Sequence, residues 1–123
     1  MTAGETATLS GERADLAETL GTHRSFLRYT VRGLTDEQAA QRTTASELTL
    51  GGLIKHVAAT EKQWADFIVN LDAGHRLPEA PWFPPGATWS ARRALLHIIA
   101  ETAQHAGHAD IIRESLDGAK TMG

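Results

Sequence analysis

Along three long stretches of this chain the apolar residues return every three or four positions, and nowhere do they alternate. Such spacing stacks side chains on one face of an α-helix, whereas a half-buried strand needs a period of two. The first stretch, about 10–33, carries Leu16, Leu20, Leu27 and Val31, and Leu34 continues the stripe. Ser10 suits its start and Gly33 its stop, so residues 1–9 read as a flexible lead-in. Thr35 with Gln38 three positions on is a capping-box pattern, and 41–47 reads as a loop. The second stretch, about 49–71, places Leu50, Leu53, Val57, Trp64, Ile68 and Leu71 on one side at about 100° per residue. Gly51 and Gly52 in its first turn permit a close backbone approach. Residues 72–88 contain all four prolines and form a loop that Trp82 and Phe83 would pin to the rest. The last helix is expected over about 90–116, capped by Thr88 or Ser90 and ended by Gly118. Leu95, Ile98, Ala109, Ile112 and Leu116 make its apolar face. Thr102 shares that face, and its hydroxyl can bond a carbonyl one turn earlier. The expected fold is all-α, an antiparallel helical bundle in a single domain spanning 1–123.

Composition narrows the chemistry. The chain of 123 residues has a net charge of −3 and scattered basic residues, which argues against a nucleic-acid partner. It has no cysteine, so disulfides, thiolate catalysis and cysteine metal ligation are excluded, and a transition-metal site must come from His, Asp and Glu. The N-terminus lacks the charge and apolar run of a secretory signal, and no stretch has the length of a membrane span. The expected compartment is the cytoplasm.

Six histidines occur in this short chain. Glu101 and His105 are four residues apart, so their side chains lie one above the other. His105 falls between Ile98 and Ile112 on the apolar face, with Glu101 within roughly 40° of it. A carboxylate at the edge of a core stripe is costly to bury unless it is paired or binds a metal. His56 lies at the edge of the second helix's stripe. If the two helices pack, His56, Glu101 and His105 can meet as three ligands with a position left open. The alternative is bland: Glu-His pairs at this spacing are frequent by chance, and helix-edge histidines are commonly solvated. His108 points in the general direction of Glu101 and reads as a pocket residue or a partner of the ligands. His97 reads as a polar residue at the surface or between helices, His23 as a hydrogen-bonded core histidine, and His75 as a loop residue. Trp64, Trp82 and Trp89 read as packing residues, with a pocket wall as the alternative.

The segments LTLGGLIKHVAATEKQW and LLHIIAETAQHAGHADIIRE, with PWFPPGATWS between them, resemble the DinB-like superfamily, most closely its actinobacterial mini-circle-protein branch. The resemblance spans about residues 11–118. It implies a metal-binding helical bundle whose ligands match His56, Glu101 and His105, with glutamate at 101 resembling mycothiol-dependent isomerases. It implies a divalent metal, zinc in the first instance, with nickel, manganese or iron also suited to such ligands. It further implies a low-molecular-weight thiol such as mycothiol, whose sulfur the metal would activate toward an electrophilic small molecule. Relatives carry a third long helix where this chain has only NLDAGHRLPE, so a bundle reduced to three main helices plus a Pro-rich loop is expected. Apolar surface left by the missing helix predicts a homodimer. The functional expectation is a thiol-dependent S-transferase or isomerase. The alternative is a non-enzymatic metal-binding or stress-associated protein.

Overall fold

A computed structural model describes residues 3–72, 74–78 and 84–121. Helix α1 (Ala3–Tyr29) begins well before Ser10, because no proline interrupts the small residues ahead of it. It unwinds through tighter turns, Thr30 N to Leu27 O and Arg32 N to Tyr29 O, both 3.2 Å. Gly33, at φ 69°, then reverses the chain. The buried Arg113 guanidinium satisfies carbonyls that this ending exposes, donating to Thr30 O at 2.8 Å and Arg32 O at 2.7 Å.

The short α2 (Asp36–Ala39) carries the expected capping box, with Thr35 and Gln38 bonded reciprocally. Thr49 caps α3 (Leu50–His56), where its side chain accepts from Gly52 N at 3.1 Å. Gly51 makes the expected close approach: a Cβ there would lie 3.3 Å from Ala39 O. The helix then widens into a π-helical segment (Val57–Lys62) and resumes as α4 (Gln63–Ile68), so that 50–68 form one continuous rod.

Among the described residues between Ile68 and Ala91 there is no helix, in keeping with a bundle of three long arms. Two backbone bonds fold this interval onto the start of the last helix, Leu77 N to Trp89 O at 2.9 Å and Ala91 N to His75 O at 2.7 Å. Trp82 and Phe83 lie outside the described residues. Helix α5 (Ala91–Asp117) is capped by Ser90 and ended by Gly118 in the left-handed conformation, as the sequence indicates.

The core is divided. One apolar cluster joins Leu20 of α1 to Ala65 and Ile68 of α4 and to Leu95 and Ile98 of α5. The other joins Leu27 of α1 to Leu50, Leu53 and Val57 of the rod and to Ala109 and Ile112 of α5. Ascending numbers in α1 and α5 match descending numbers in the rod, so the rod runs antiparallel to both. Between the clusters lies one polar layer, formed by Glu61 on the rod and by Glu101, Thr102 and His105 on α5.

Candidate metal centre

Phase along the rod decides what enters the polar layer. In a uniform α-helix, Glu61 would lie about 140° around the axis from His56. Each step of a π-helix turns less than an α step, because its bonds span five residues rather than four. Over Val57–Lys62 the rotation therefore lags. Ala65 turns inward, and Trp64, expected on the buried stripe, turns outward to 41 % exposure. The lag also brings Glu61 beside His56, at 3.9 Å from Glu61 Oε1 to His56 Nε2.

From α5, His105 Nε2 lies 3.4 Å from the same Glu61 oxygen. The His56 and His105 rings meet edge to face at 5.1 Å between centroids. One ligand atom from each of His56, Glu61 and His105 can be chosen so that all lie within 4.8 Å of one another. Glu101 stands at the rim, its side chain 40 % exposed, with Oε2 3.8 Å from His105 Nε2 and Oε1 3.5 Å from His97 Nε2. Of the three residues singled out in the sequence, His56 and His105 thus converge with Glu61, and Glu101 adjoins them from the cleft side. His108 is exposed, with its ring 6.2 Å from that of His105, and lies outside the convergent group. His23 is half-buried against Phe26 rather than in the core. His75 contributes its carbonyl to the loop closure.

Glu61 is 7 % exposed. Burial pushes its carboxyl above the usual carboxylate range and nearby Glu101 adds to this; the Thr102 hydroxyl and the two histidines offset it in part. Thr102 Oγ1 lies 2.9 Å from Glu61 Oε2 and 2.8 Å from Ile98 O. The single hydroxyl proton is shared between the Glu61 carboxylate and the Ile98 carbonyl, and Oε1 on the other face of the carboxyl has no such donor. Glu61 Oε1 and both ring nitrogens of His105 are buried without a hydrogen bond. Buried polar atoms are ordinarily paired, so a cluster of converging atoms without hydrogen bonds marks a place for a ligand. Two imidazoles and carboxylate oxygen suit a divalent transition ion, and the residues present fit one.

The centre opens onto a cleft of about 510 Å³. His56, Glu61, His97 and Glu101 form its polar end; Trp64, Trp89, Ile68, Leu77 and Ile98 form much of the rest. Trp64 therefore takes the wall position that was the alternative to packing, whereas Trp89 packs against the first apolar cluster, as expected, and lines the cleft as well.

A family profile of mycothiol-S-transferases matches residues 15–70 and 66–118. The chain belongs to the mycothiol-S-transferase family. This is a DinB-like family, in agreement with the resemblance drawn from the sequence. The family match comes in two pieces that meet at 66–70, at the end of α4, where the interval before α5 is short. Comparison with curated proteins and with solved structures finds no match. Among the described residues, no helix is long and apolar enough to cross a membrane.

The residue that sequence reasoning missed is Glu61. The argument that selected Glu101 applies to it with more force, because Glu61 lies about 40° from Val57 on the rod's own apolar stripe. A carboxylate in that position was the available signal.

Proposed function

We propose that this mycothiol-S-transferase family member is a divalent-metal-dependent enzyme that joins a small thiol, mycothiol in the first instance, to an electrophilic small molecule. The observation that carries the reading is the convergence of Glu61 Oε1 and His105 Nε2, 3.4 Å apart and buried without hydrogen bonds, beside His56. His56, His105 and Glu61 would hold the ion, with Glu101 completing the set from the cleft side, as the family resemblance implies. Zinc is the ion proposed; nickel, manganese or iron would suit the same donors. When bound, such an ion lowers the pKa of a thiol at its open position. The chain needs no cysteine for this chemistry, and it has none.

The other roles follow from position. Thr102 fixes one oxygen of Glu61 and so aims the second at the histidines. His97 holds the outer oxygen of Glu101 and lines the cleft, where it can carry a released proton toward solvent. The tryptophan walls exclude water from the electrophile. A homodimer in the cytoplasm is the proposed setting, with exposed Phe67 on the rod as part of the apolar surface to be covered.

Metal content of the purified protein tests the reading, measured beside a His56→Ala/His105→Ala variant. Near-stoichiometric metal that disappears in the variant is expected, together with thiol-conjugating activity that His56→Ala abolishes while helicity is kept. Activity retained in His56→Ala would overturn the mechanism. One observation favours a second reading, a metal-binding protein without activity: no helix closes the bundle between Ile68 and Ala91 among the described residues. Failure of the metal-loaded protein to bind any small thiol would select it.

A further inference from the structure

The charges that line the tryptophan cleft are of one sign. Its walls, Trp64, Trp89, Ile68, Leu77 and Ile98, carry none. Its polar end holds two carboxylates, Glu61 and Glu101, and among the described residues no lysine or arginine lines it. His97 also lines the cleft, but its Nε2 lies 3.5 Å from Glu101 Oε1, so a charge it takes up is already paired. Arg93 lays its guanidinium over the Trp89 ring, 4.5 Å from the centroid, and is not among the lining residues.

Such a lining discriminates by charge. Two carboxylates balance one divalent ion, and a thiolate added to that set leaves the centre net negative. A ligand bearing a carboxylate then brings like charge against like, beside apolar walls that thin the screening by water. It also finds no guanidinium or ammonium to pair with, so its desolvation goes uncompensated. An uncharged aromatic ligand meets neither cost. The two indoles offer it contact area, and about 510 Å³ is room for a molecule of drug size.

We propose that the cleft selects an uncharged aromatic electrophile and rejects its carboxylate-bearing counterparts, with Glu61 and Glu101 setting the selectivity. The assignment rests on the S-transferase reading above and narrows its second substrate. Gln63 gives a handle on it, because that exposed side chain lines the cleft and serves neither the ion nor the core.

The test is nuclear magnetic resonance of the isotope-labelled, zinc-reconstituted protein saturated with mycothiol. It is titrated with naphthamide and, separately, with naphthoate, two unreactive molecules of one shape that differ in charge. Naphthamide should move the indole signals of Trp64 and Trp89, and naphthoate should bind about tenfold more weakly. Gln63→Lys should strengthen naphthoate about fivefold and leave naphthamide unchanged, whereas the neutral Gln63→Met should move neither affinity. Equal affinities, tighter naphthoate, indole signals that ignore naphthamide, or indifference of naphthoate to Gln63→Lys would overturn the selectivity and leave thiol transfer standing. If mycothiol moves no signal of the zinc-loaded protein, the transfer reading itself fails and takes the assignment with it.

Discussion

Glu61→Gln should make the metal-free protein more stable and the metal-loaded protein less so. The carboxyl is nearly fully buried, and its Oε1 makes no hydrogen bond. An unsatisfied buried polar atom costs about 1–3 kcal/mol. Glutamine keeps the shape; its amide N–H can donate to Thr102 Oγ1 while Thr102 still donates to Ile98 O, and its oxygen can accept from a protonated His105 Nε2. Taking about 2 kcal/mol as the gain, and about 4 °C per kcal/mol for a domain of this size, the variant should melt roughly 8 °C higher in chelator at pH 7. The gain depends on pH with a definite sign. Because burial raises the folded carboxyl above its ordinary value, the contribution of this one group is fully present below about pH 4.5 and is lost as pH rises through the folded value. The advantage of glutamine should therefore fade as pH falls toward 4.5. With zinc at a hundredfold excess over its dissociation constant, the wild type gains about 2.7 kcal/mol. The variant, lacking the anionic ligand, should gain far less, so the order of melting temperatures reverses. Thermal melts with and without zinc at pH 7 and pH 5 decide the matter. A variant that melts below wild type in chelator, or one that gains the same zinc shift, would refute the reasoning.

Arg113→Ala should lower stability by roughly 3 kcal/mol, since it leaves the Thr30 and Arg32 carbonyls without their donor at the end of α1. A urea titration that finds a loss under about 1 kcal/mol would contradict that accounting. Asp117 is held below the usual carboxylate range, first by its hydrogen bond from Arg113 and then by the amide of Ala119. A depressed carboxyl stabilises above its ordinary value and loses that contribution as pH falls through the folded one. Asp117→Asn should thus lower the melting temperature at pH 7, with a penalty that shrinks below about pH 4. An equal penalty at pH 3 and pH 7 would count against it.

Elements fixed by local chemistry were legible in the sequence. Thr35, Thr49 and Ser90 cap their helices, and Gly118 ends α5, because each effect depends on a few neighbouring residues. His56 and His105 could be paired from helical phase and the family resemblance. Phase failed on the rod beyond Val57. Counting at a uniform 100° put Trp64 inside and set Glu61 far from His56, whereas the π-helical segment reverses both placements. That widening is a property of packing around the polar layer, and propensity within 57–62 gives no separate sign of it. The N-terminal boundary failed for a different reason: Ser10 is a good cap, but a cap residue does not stop a helix from continuing through it.

The π-helical segment divides the rod into two reading frames. Residues before it and after it are each regular, yet their faces are offset, like two gears keyed to one shaft with a tooth between them. Over its six residues the shortfall of the π steps amounts to about one residue's turn, so loss of one residue from 57–60 would be absorbed by closing the segment to α-helix, with Trp64 still outward and Glu61 still beside His56. A substitution at the same place would alter only one side chain. The segment therefore holds about one residue of slack, and a single deletion should be better tolerated there than elsewhere in the rod, where it would turn every later side chain by about 100°.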